Sequence, residues 1–582
     1  MQTTKKIICR RDPGLAANDF PADLHPVLAR IYAARNVRGT EELDRSLERL
    51  HHPDLLKGID TAIGLLATAI KTDKHILIVA DFDTDGATSC ALAVRALTAM
   101  GAKHVSYVVP DRFRFGYGLT PEIVAIAAQR SPNLLITVDN GISSVDGVRA
   151  AHAAGMSVLI TDHHLPGDTL PDAEAIVNPN QAGDRFPSKY LAGVGVIFYV
   201  MLALRAHLRE VGWFSGSGLP EPNLAKLLDL VALGTVADLV PLDHNNRILV
   251  LQGLQRINQG AACAGIQALL HVAGRNTSSI TAADLGFFIA PRLNAAGRLE
   301  DMSFGIECLL ADSKSTALTM AQRLDTLNHE RRAIEADMQA QAIEAVKTLS
   351  LENEVLPKGI CLFNPDWHQG IVGLVASRIK DRVHRPVIAF AQATDHELKG
   401  SARSVPGLHI RDALDAIAAR HPDLLRRFGG HAMAAGLTLD PEKLHEFRLA
   451  FDEEAARHLS EEDLQGKILS DGELAPEDLS LELASLLRAA GPWGQAFPEP
   501  VFDGLFEIVN RRVVGQHHLK MALRCRDHNK VINAIAFRQA PDGVAPDWSH
   551  ARAAYKLDIN QYRGSRSLQL IIEHLEPVSS PT

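Results

Sequence analysis

Ile76-Leu77-Ile78-Val79-Ala80-Asp81-Phe82-Asp83-Thr84-Asp85-Gly86 is the stretch on which the reading of the whole chain turns. Its five apolar residues predict a buried strand, because strands covered on both faces read as continuous apolar runs. Three aspartates at alternate positions then end the strand. Side chains alternate faces along an extended chain, so the three would share one face if the strand continued unbroken. Carboxylates that close repel one another and are costly to desolvate. A divalent cation between them relieves both effects, and the spacing predicts a metal site. The alternative is a solvated loop whose Asp caps a helix starting near Ala87.

Two further strands strengthen the metal reading. Leu134–Val138 runs into Asp139-Asn140-Gly141, and Ser157–Thr161 runs into Asp162-His163-His164. Apolar strands separated by helical patterns predict βαβ units and a parallel sheet, whose ligands sit outside the carboxyl ends of the strands. Asp81, Asp83, Asp85, Asp139, Asp162, His163 and His164 then fall along one edge. Carboxylates with imidazole suit manganese, iron or zinc, and carboxylates alone suit magnesium. Asp238, in Gly234-Thr235-Val236-Ala237-Asp238-Leu239-Val240-Pro241, lies among apolar residues and needs a partner. A metal would serve; capping of the next helix or a pair with Arg247 is the alternative. Asp111 also follows a strand, but its bulky neighbours make it a weaker candidate.

With 582 residues the chain is too long for one core, and three or four domains are expected. A hydrophobic content of 46% and a charged content of 22% are ordinary for soluble globular proteins. The net charge of −9 gives no general attraction to nucleic acid, so the placement of basic residues matters more than their sum. Six scattered cysteines without a CxxC pair argue against a zinc ribbon or a disulfide framework and fit a reducing cytoplasm. Lys5-Lys6 is followed by no apolar segment of the secretory kind, and no apolar run approaches the roughly 20 residues that span a bilayer.

The chain reads as an α/β protein. An N-terminal segment (1–45) carries no recognisable chemistry. A parallel-sheet domain (46–310), a connecting helix (311–352), a second α/β domain (353–460) and a C-terminal OB-like β-barrel (461–577) follow. In Pro110–Gly118, Arg112 and Arg114 alternate with Phe113, Phe115 and Tyr117, a composition suited to gripping phosphate and stacking a base, or to an ordinary surface loop. Gly193-Val194-Gly195 opens an apolar helix over 196–208. With no GxGxxG after a strand and no GxxxxGK(S/T), nucleotide-cofactor folds are set aside. Ala290–Arg298 reads as a compact loop carrying Arg292 and Asn294. Ser313–Leu349 lacks Gly and Pro and predicts a long helix. Lys399–Ser404 and Phe428–Ala432 read as two loops that join small residues to Ser401, Arg403 and His431, the donors a phosphate clamp needs; tight structural turns are the alternative. Residues 441–510 hold 5 Lys and Arg against 16 Asp and Glu, whereas 511–566 hold 11 against 4. Short alternating runs across the latter predict a small barrel with a basic face.

The motifs DFDTDG (81–86), VDNG (138–141), DHH (162–164) and GTVAD (234–238), in that order, resemble the DHH phosphoesterase superfamily. DWHQG (366–370), GSARS (400–404) and GGHAMAAG (429–436) resemble its DHH-associated domain. Length, motif order, PRLNAAGR (291–298) and the C-terminal part are similar to the RecJ branch, the single-strand-specific 5′→3′ DNA exonucleases of bacteria. The resemblance implies that Asp83, Asp85, Asp139, His163 and Asp238 bind two divalent cations, Mn²⁺ or Mg²⁺, with Asp139 bridging. Asp81 and His164 complete the site and Asp162 orients it. Many superfamily members carry a His four residues before the position of Asp83; Val79 stands there, and Asp81 is the natural substitute. The same resemblance implies that Ser401, Arg403 and His431 meet substrate phosphate, with Arg112, Arg292 and Asn294 as further contacts. It implies release of 5′-mononucleotides from single-stranded DNA in recombination and repair, by a cytoplasmic monomer away from membranes, with a single-strand-binding protein and a helicase as partners. Two other readings are a DHH phosphodiesterase acting on oligoribonucleotides or cyclic dinucleotides, and a catalytically inactive DNA-binding homologue. The basic C-terminal module speaks against the first, and the unbroken Asp/His set against the second.

Overall fold

The computed structural model describes residues 6–12, 20–111, 115, 117–352, 356–515, 517–525, 528–540, 543–545, 547–562 and 564–578. Two compact units emerge: Pro13–Asn328 with Leu487–Glu499, and Met1–Asp12 with His329–Leu486 and Pro500–Thr582. The chain opens on β1 (Ile7–Arg10), a strand of the second unit.

The first unit is built on a parallel sheet of β2 (Ile76–Ala80), β3 (Val105–Val108), β4 (Leu134–Val138), β5 (Ser157–Thr161) and β6 (Ala175–Val177), in the order β3-β2-β4-β5-β6. Every residue of β2 and β4 is buried, as their unbroken apolar runs require. Register carries this into function. Ala80 pairs with Val138, and Val138 with Thr161, so the three strands end level. The next residue of each is Asp81, Asp139 or Asp162. β2 stops at Ala80, however. Asp83 is the N-cap of helix Thr84–Ala99, accepting from Gly86 N at 3.0 Å, and Asp85 lies in the first helical turn. The three aspartates of the motif are therefore gathered by a turn and a helix start, not by one face of a strand.

Ala290–Leu299 is a helix entered through a π-helical turn at Leu285–Ile289, where a loop was expected. Pro291 sits in its first turn, where a missing N–H breaks no hydrogen bond. The segment Leu487–Glu499 also packs with this unit. Its Trp493 and Phe497 rings stack at 5.1 Å, and both meet Tyr32 at 6.3 Å.

Helix Lys314–Glu352 carries the chain into the second unit, as its Gly-free and Pro-free sequence predicts. There β7 (Ile360–Phe363), β8 (Val387–Thr394), β9 (Glu397–Arg403), β10 (Arg427–Gly430) and β11 (Ala434–Leu439) form a sheet in the order β10-β11-β9-β8-β7, parallel only between β7 and β8. The stretches GSARS and GGHA thus lie largely on β9 and β10, not in loops. Alternation explains β9: Leu398, Gly400 and Ala402 are buried, leaving Lys399, Ser401 and Arg403 on the other face.

β12 (Lys467–Ser470) pairs in parallel with β1. A closed barrel follows, of β13 (Phe502–Val514), β14 (His518–Cys525), β15 (Val531–Ala536), β16 (His550–Tyr562) and β17 (Ser565–Pro577), in the order β13-β14-β15-β17-β16. Buried Asp503 ties the N-terminal strand to it. Its carboxylate accepts from Arg10 Nε at 3.0 Å, Arg552 Nη2 at 2.8 Å and Ser470 Oγ at 2.5 Å. Burial opposes ionisation, but the hydrogen bonds from Arg10, Ser470 and Arg552 outweigh it and hold the carboxyl at about 2. A depressed carboxyl stabilises the fold above its unfolded pKa, and that contribution fades as pH falls through the folded value. Asp503→Ala is expected to destabilise the second unit by about 2 kcal/mol at pH 7, the scale of a charged hydrogen-bond set. Urea unfolding at pH 7 and pH 3 checks this: the difference from the parent should shrink at the lower pH.

Candidate metal centre

The strand ends supply the centre, and the backbone around them is held tightly. Asp139 leaves β4 with a φ of +63°, a conformation rare outside glycine, and is buried. Asn140 locks that turn, donating from Nδ2 to Val79 O (3.1 Å) and Val138 O (2.9 Å). Asp162 accepts from the amides of Ile142 (2.9 Å), His163 (2.7 Å) and His164 (3.1 Å), and from His164 Nδ1 (2.7 Å). Those donors occupy its oxygens, so Asp162 orients the His164 imidazole and holds the His163 backbone amide. Burial pushes its carboxyl up, but the His164 hydrogen bond and the histidine charges bring it below its ordinary value.

Asp85 is fully buried. Its oxygens accept from Gly193 N (2.6 Å) and Val194 N (2.9 Å) at the start of helix Gly193–Glu210. The amide-rich helix N-terminus opened by Gly193-Val194-Gly195 thus holds a carboxylate of the protein itself. Close packing there requires glycine twice. A Cβ on Gly193 would lie 2.6 Å from the Asp139 Cβ, and one on Gly234 would lie 2.7 Å from Asp85 Oδ1. Asp238 is the C-cap of helix Leu228–Ala237, while Arg247, its alternative partner, donates to Leu242 O at 3.0 Å instead.

His163 is the hub. Its Nε2 lies 3.1 Å from Asp139 Oδ1, 3.4 Å from Asp238 Oδ2 and 4.0 Å from Asp85 Oδ2. Three groups of side chains bring their ligand atoms within 4.8 Å of one another: Asp139, His163 and His164; Asp85, His163 and Asp238; and Asp81, Asp83 and Asp139. Asp139 and His163 each belong to two of them.

The electrostatics favour a cation, which would relieve the burial and mutual repulsion of these carboxylates. Burial first, then mutual repulsion, pushes Asp85 and Asp238 up to about 7 and Asp139 well above the carboxylate range. Burial and the His164 charge lower His163. His164 rises to about 9, because its hydrogen bond to Asp162 and the nearby carboxylates overcome burial. Among the described residues, no Lys or Arg pairs with Asp85, Asp139 or Asp238. Asp139 Oδ1 and His163 Nε2 are buried 3.1 Å apart and form no aligned hydrogen bond with each other or with any other described group. Oxygen donors with one or two imidazoles, arranged around such orphaned atoms, fit divalent cations of the manganese or magnesium kind.

The remaining candidates lie outside the three ligand groups. Arg112 lies outside the described residues. Arg292 is buried, donating to Phe288 O (2.6 Å) and pairing with Asp325 (2.8 Å). Asn294 Oδ1 accepts from Thr84 N and Thr84 Oγ1, both at 2.9 Å, and so fixes the first turn after DFD. Asp111 is exposed and belongs to none of the three groups. In the second unit, Arg403 Nη1 donates to Ser401 Oγ (3.1 Å) and Ala402 O (2.8 Å), with no carboxylate partner among the described residues. The first turn of helix Val372–Val383 lies against this pair: a Cβ on Gly373 would be 2.8 Å from Ser401 Oγ. His431 N donates to Ala434 O at 2.8 Å, at the turn into β11. Sequence reasoning did not assign Asn140, the Gly193 and Val194 amides, or Tyr117, whose hydroxyl donates to Asp139 O (3.1 Å) and lies 3.0 Å from His164 Nδ1. The VDNG motif, the Gly-Val-Gly triplet and the aromatic spacing of 113–117 were their signals.

A DHH family N-terminal domain model matches residues 75–235, a DHHA1 domain model 356–457 and a RecJ OB domain model 470–574. The single-stranded-DNA-specific exonuclease RecJ of Dickeya dadantii is 54% identical over 571 residues, covering 98% of this chain and 99% of that protein. Among solved structures, RecJ from Thermus thermophilus in complex with Mn²⁺ is 31% identical with a TM-score of 0.78, covering 95% of this chain and 76% of that one. The same protein in complex with Mg²⁺ is 29% identical with a TM-score of 0.72, over 95% and 75% of the two chains. Similarity at this level, spread over all three domains and nearly the full length of a relative, makes the chain a member of the RecJ family of single-stranded-DNA-specific exonucleases.

Proposed function

We propose that the chain is a metal-dependent exonuclease that degrades single-stranded DNA from the 5′ end and releases 5′-mononucleotides. The observation that carries the reading is the convergence of Asp85, Asp139, His163 and Asp238, with orphaned buried ligand atoms, in a chain 54% identical to a named single-stranded-DNA exonuclease. Asp81, Asp83, Asp85, Asp139, His163 and Asp238 would hold two divalent cations, Mn²⁺ or Mg²⁺, which when bound supply charge neutralisation at the phosphoryl oxygens and an activated water.

The protein's own groups do the rest. Asp162 fixes the His164 imidazole and the His163 amide, and His163 Nε2 faces Asp139 and Asp238. His164, with the Tyr117 hydroxyl beside it, offers a hydrogen bond to a phosphoryl or leaving oxygen. Arg403 and Ser401, beside a helix N-terminus, supply a grip for a 5′-terminal phosphate, which gives the reaction its polarity. On the barrel, Arg512 and Lys520 stand opposite each other across β13 and β14, and Phe537 is 52% exposed. Basic side chains with an exposed aromatic suit sequence-tolerant binding of a single strand. Arg524, Lys556 and Arg511 are paired with Glu507, Glu573 and Asp547, so the basic face is narrower than the charge count implies. Among the described residues no helix is long and apolar enough to cross a membrane. The reading extends to a monomer in the cytoplasm that receives its strand from a single-strand-binding protein and a helicase.

Raised folded pKa values for Asp85 and Asp238 mean that stability falls as pH rises from the unfolded carboxyl value toward 7, and that the loss is complete above 7. A bound cation relieves that loss. Added Mn²⁺ should therefore raise the first unit's Tm more at pH 8 than at pH 5.5, and EDTA should reverse the gain; equal shifts at both pH values would count against the centre. Arg403→Ala should raise KM for a 5′-phosphorylated oligonucleotide by about tenfold, the scale of one charged hydrogen bond, with little change in kcat. The direct test uses end-labelled single-stranded and duplex DNA and RNA with Mn²⁺, Mg²⁺ or EDTA. Metal-dependent release of mononucleotides from the 5′ end of single-stranded DNA is expected. Cleavage confined to dinucleotides would move the chain to the small-substrate reading.

A further inference from the structure

Asp238 is held from a side that the reaction chemistry does not explain. The residue after it, Leu239, has a φ of +60° and is 69% exposed, a strained conformation for a large apolar side chain. The loop Leu239–Leu242 is then pinned at its far end. Leu242 N donates to Gln495 O at 2.8 Å, Arg247 Nη1 donates to Leu242 O at 3.0 Å, and Asn246 Nδ2 donates to Pro241 O at 2.9 Å.

Gln495 belongs to Leu487–Glu499, more than 200 residues further along the chain. That segment is seated with care. Trp493 and Phe497 stack on each other and on Tyr32, with the Arg35 guanidinium 5.4 Å above the Trp493 ring. Arg35 Nε donates to Pro498 O at 2.8 Å, and Tyr32 OH donates to Ala490 O at 3.0 Å. Arg247 lies 4.4 Å over the Phe497 ring, so one guanidinium both stacks on the segment and bonds the loop. Ala496 has a φ of +56°, and a Cβ on Gly494 would come within 2.7 Å of the Leu242 side chain. Backbone strain and close contact meet where the segment touches the loop.

We infer that residues 493–497 are a positioning strap that sets the Leu239–Leu242 loop, and through it the reach of Asp238 toward the centre it shares with Asp85 and His163. Phe497 and Arg247 are its positioning residues. The strap is followed in sequence by β13, so the segment that hydrogen-bonds the Leu239–Leu242 loop is continuous with the chain that forms the barrel. The inference rests on the reading of Asp238 as a metal ligand.

The test is a Mn²⁺ titration of single-stranded oligonucleotide hydrolysis by the full chain. Residues that orient metal ligands typically change metal affinity about 10- to 100-fold when removed, and Phe497→Ala should raise the half-maximal Mn²⁺ concentration by about tenfold. The rate at saturating Mn²⁺ should return to the parent value, and the Mn²⁺-induced Tm gain should shift to the same higher concentrations. Phe497→Trp, which keeps the stack, should restore the parent midpoint. Val148→Ala, a core change in the first unit, should lower Tm and leave the midpoint in place. An unchanged midpoint in folded Phe497→Ala would overturn the strap; should that variant not fold, Phe497→Leu carries the same expectation and the same refutation. Asp238→Asn separates the two readings. If it leaves the Mn²⁺ midpoint unchanged, the ligand assignment falls and the strap with it. If it raises the midpoint while Phe497→Ala does not, the strap alone falls.

Discussion

Like charges brought together out of water are the constraint on which the first unit depends. Asp85 and Asp139 are almost completely buried within reach of Asp83, Asp238 and His163, and their carboxyls resist ionisation. Such a cluster is costly unless a cation neutralises it. The fold concentrates it all the same, through strands that end level, a positive-φ turn at Asp139 locked by Asn140, and a helix N-terminus that holds Asp85 with two amides. Gly193 and Gly234 allow the flanking helices to approach closely enough to close the site.

The second unit handles a buried carboxylate in the opposite way. Asp503 is surrounded by Arg10, Arg552 and Ser470, and its charge is fully compensated from within the protein. The outcome is a joint between the N-terminal strand and the barrel. Asp139 and Asp503 are both buried, yet Asp503 is held low by its neighbours and Asp139 is driven high. Asp503 is matched by cations of the protein, whereas Asp139 has no Lys or Arg partner among the described residues. Arg403 shows a third arrangement, a cation bonded among the described residues to a hydroxyl and a carbonyl, beside a helix start.

The sheet edge was legible because its signal is local: an apolar run followed by an acid reports both burial and strand end in a few residues. The long helix was legible for the same reason, since one absence, of Gly and Pro, governs the whole stretch. Misreadings arose where meaning depends on a distant partner. GSARS looked like a loop because its small residues resemble turn residues, whereas Gly400 and Ala402 are small in order to pack the buried face of β9. Ala290–Arg298 looked like a loop because of its Pro and Gly, yet Pro291 occupies a first turn and Gly297 lies where a Cβ would meet Phe82 O at 2.0 Å. Arg292 and Asn294 carry the residue types of a substrate clamp, and their protein partners, Asp325 and Thr84, carry no local sequence signal. No local pattern announces that Gln495 will meet Leu242.

The most direct measurement is the number of Mn²⁺ ions bound per chain, by equilibrium dialysis, with hydrolysis of single-stranded DNA followed in the same samples, for the parent and for Asp139→Asn. The expected result is two ions on the parent, and a folded variant that loses both Mn²⁺ and hydrolysis, because Asp139 is common to two of the ligand groups. A folded Asp139→Asn protein that cleaves single-stranded DNA at the parent rate would contradict the metal-centre reading.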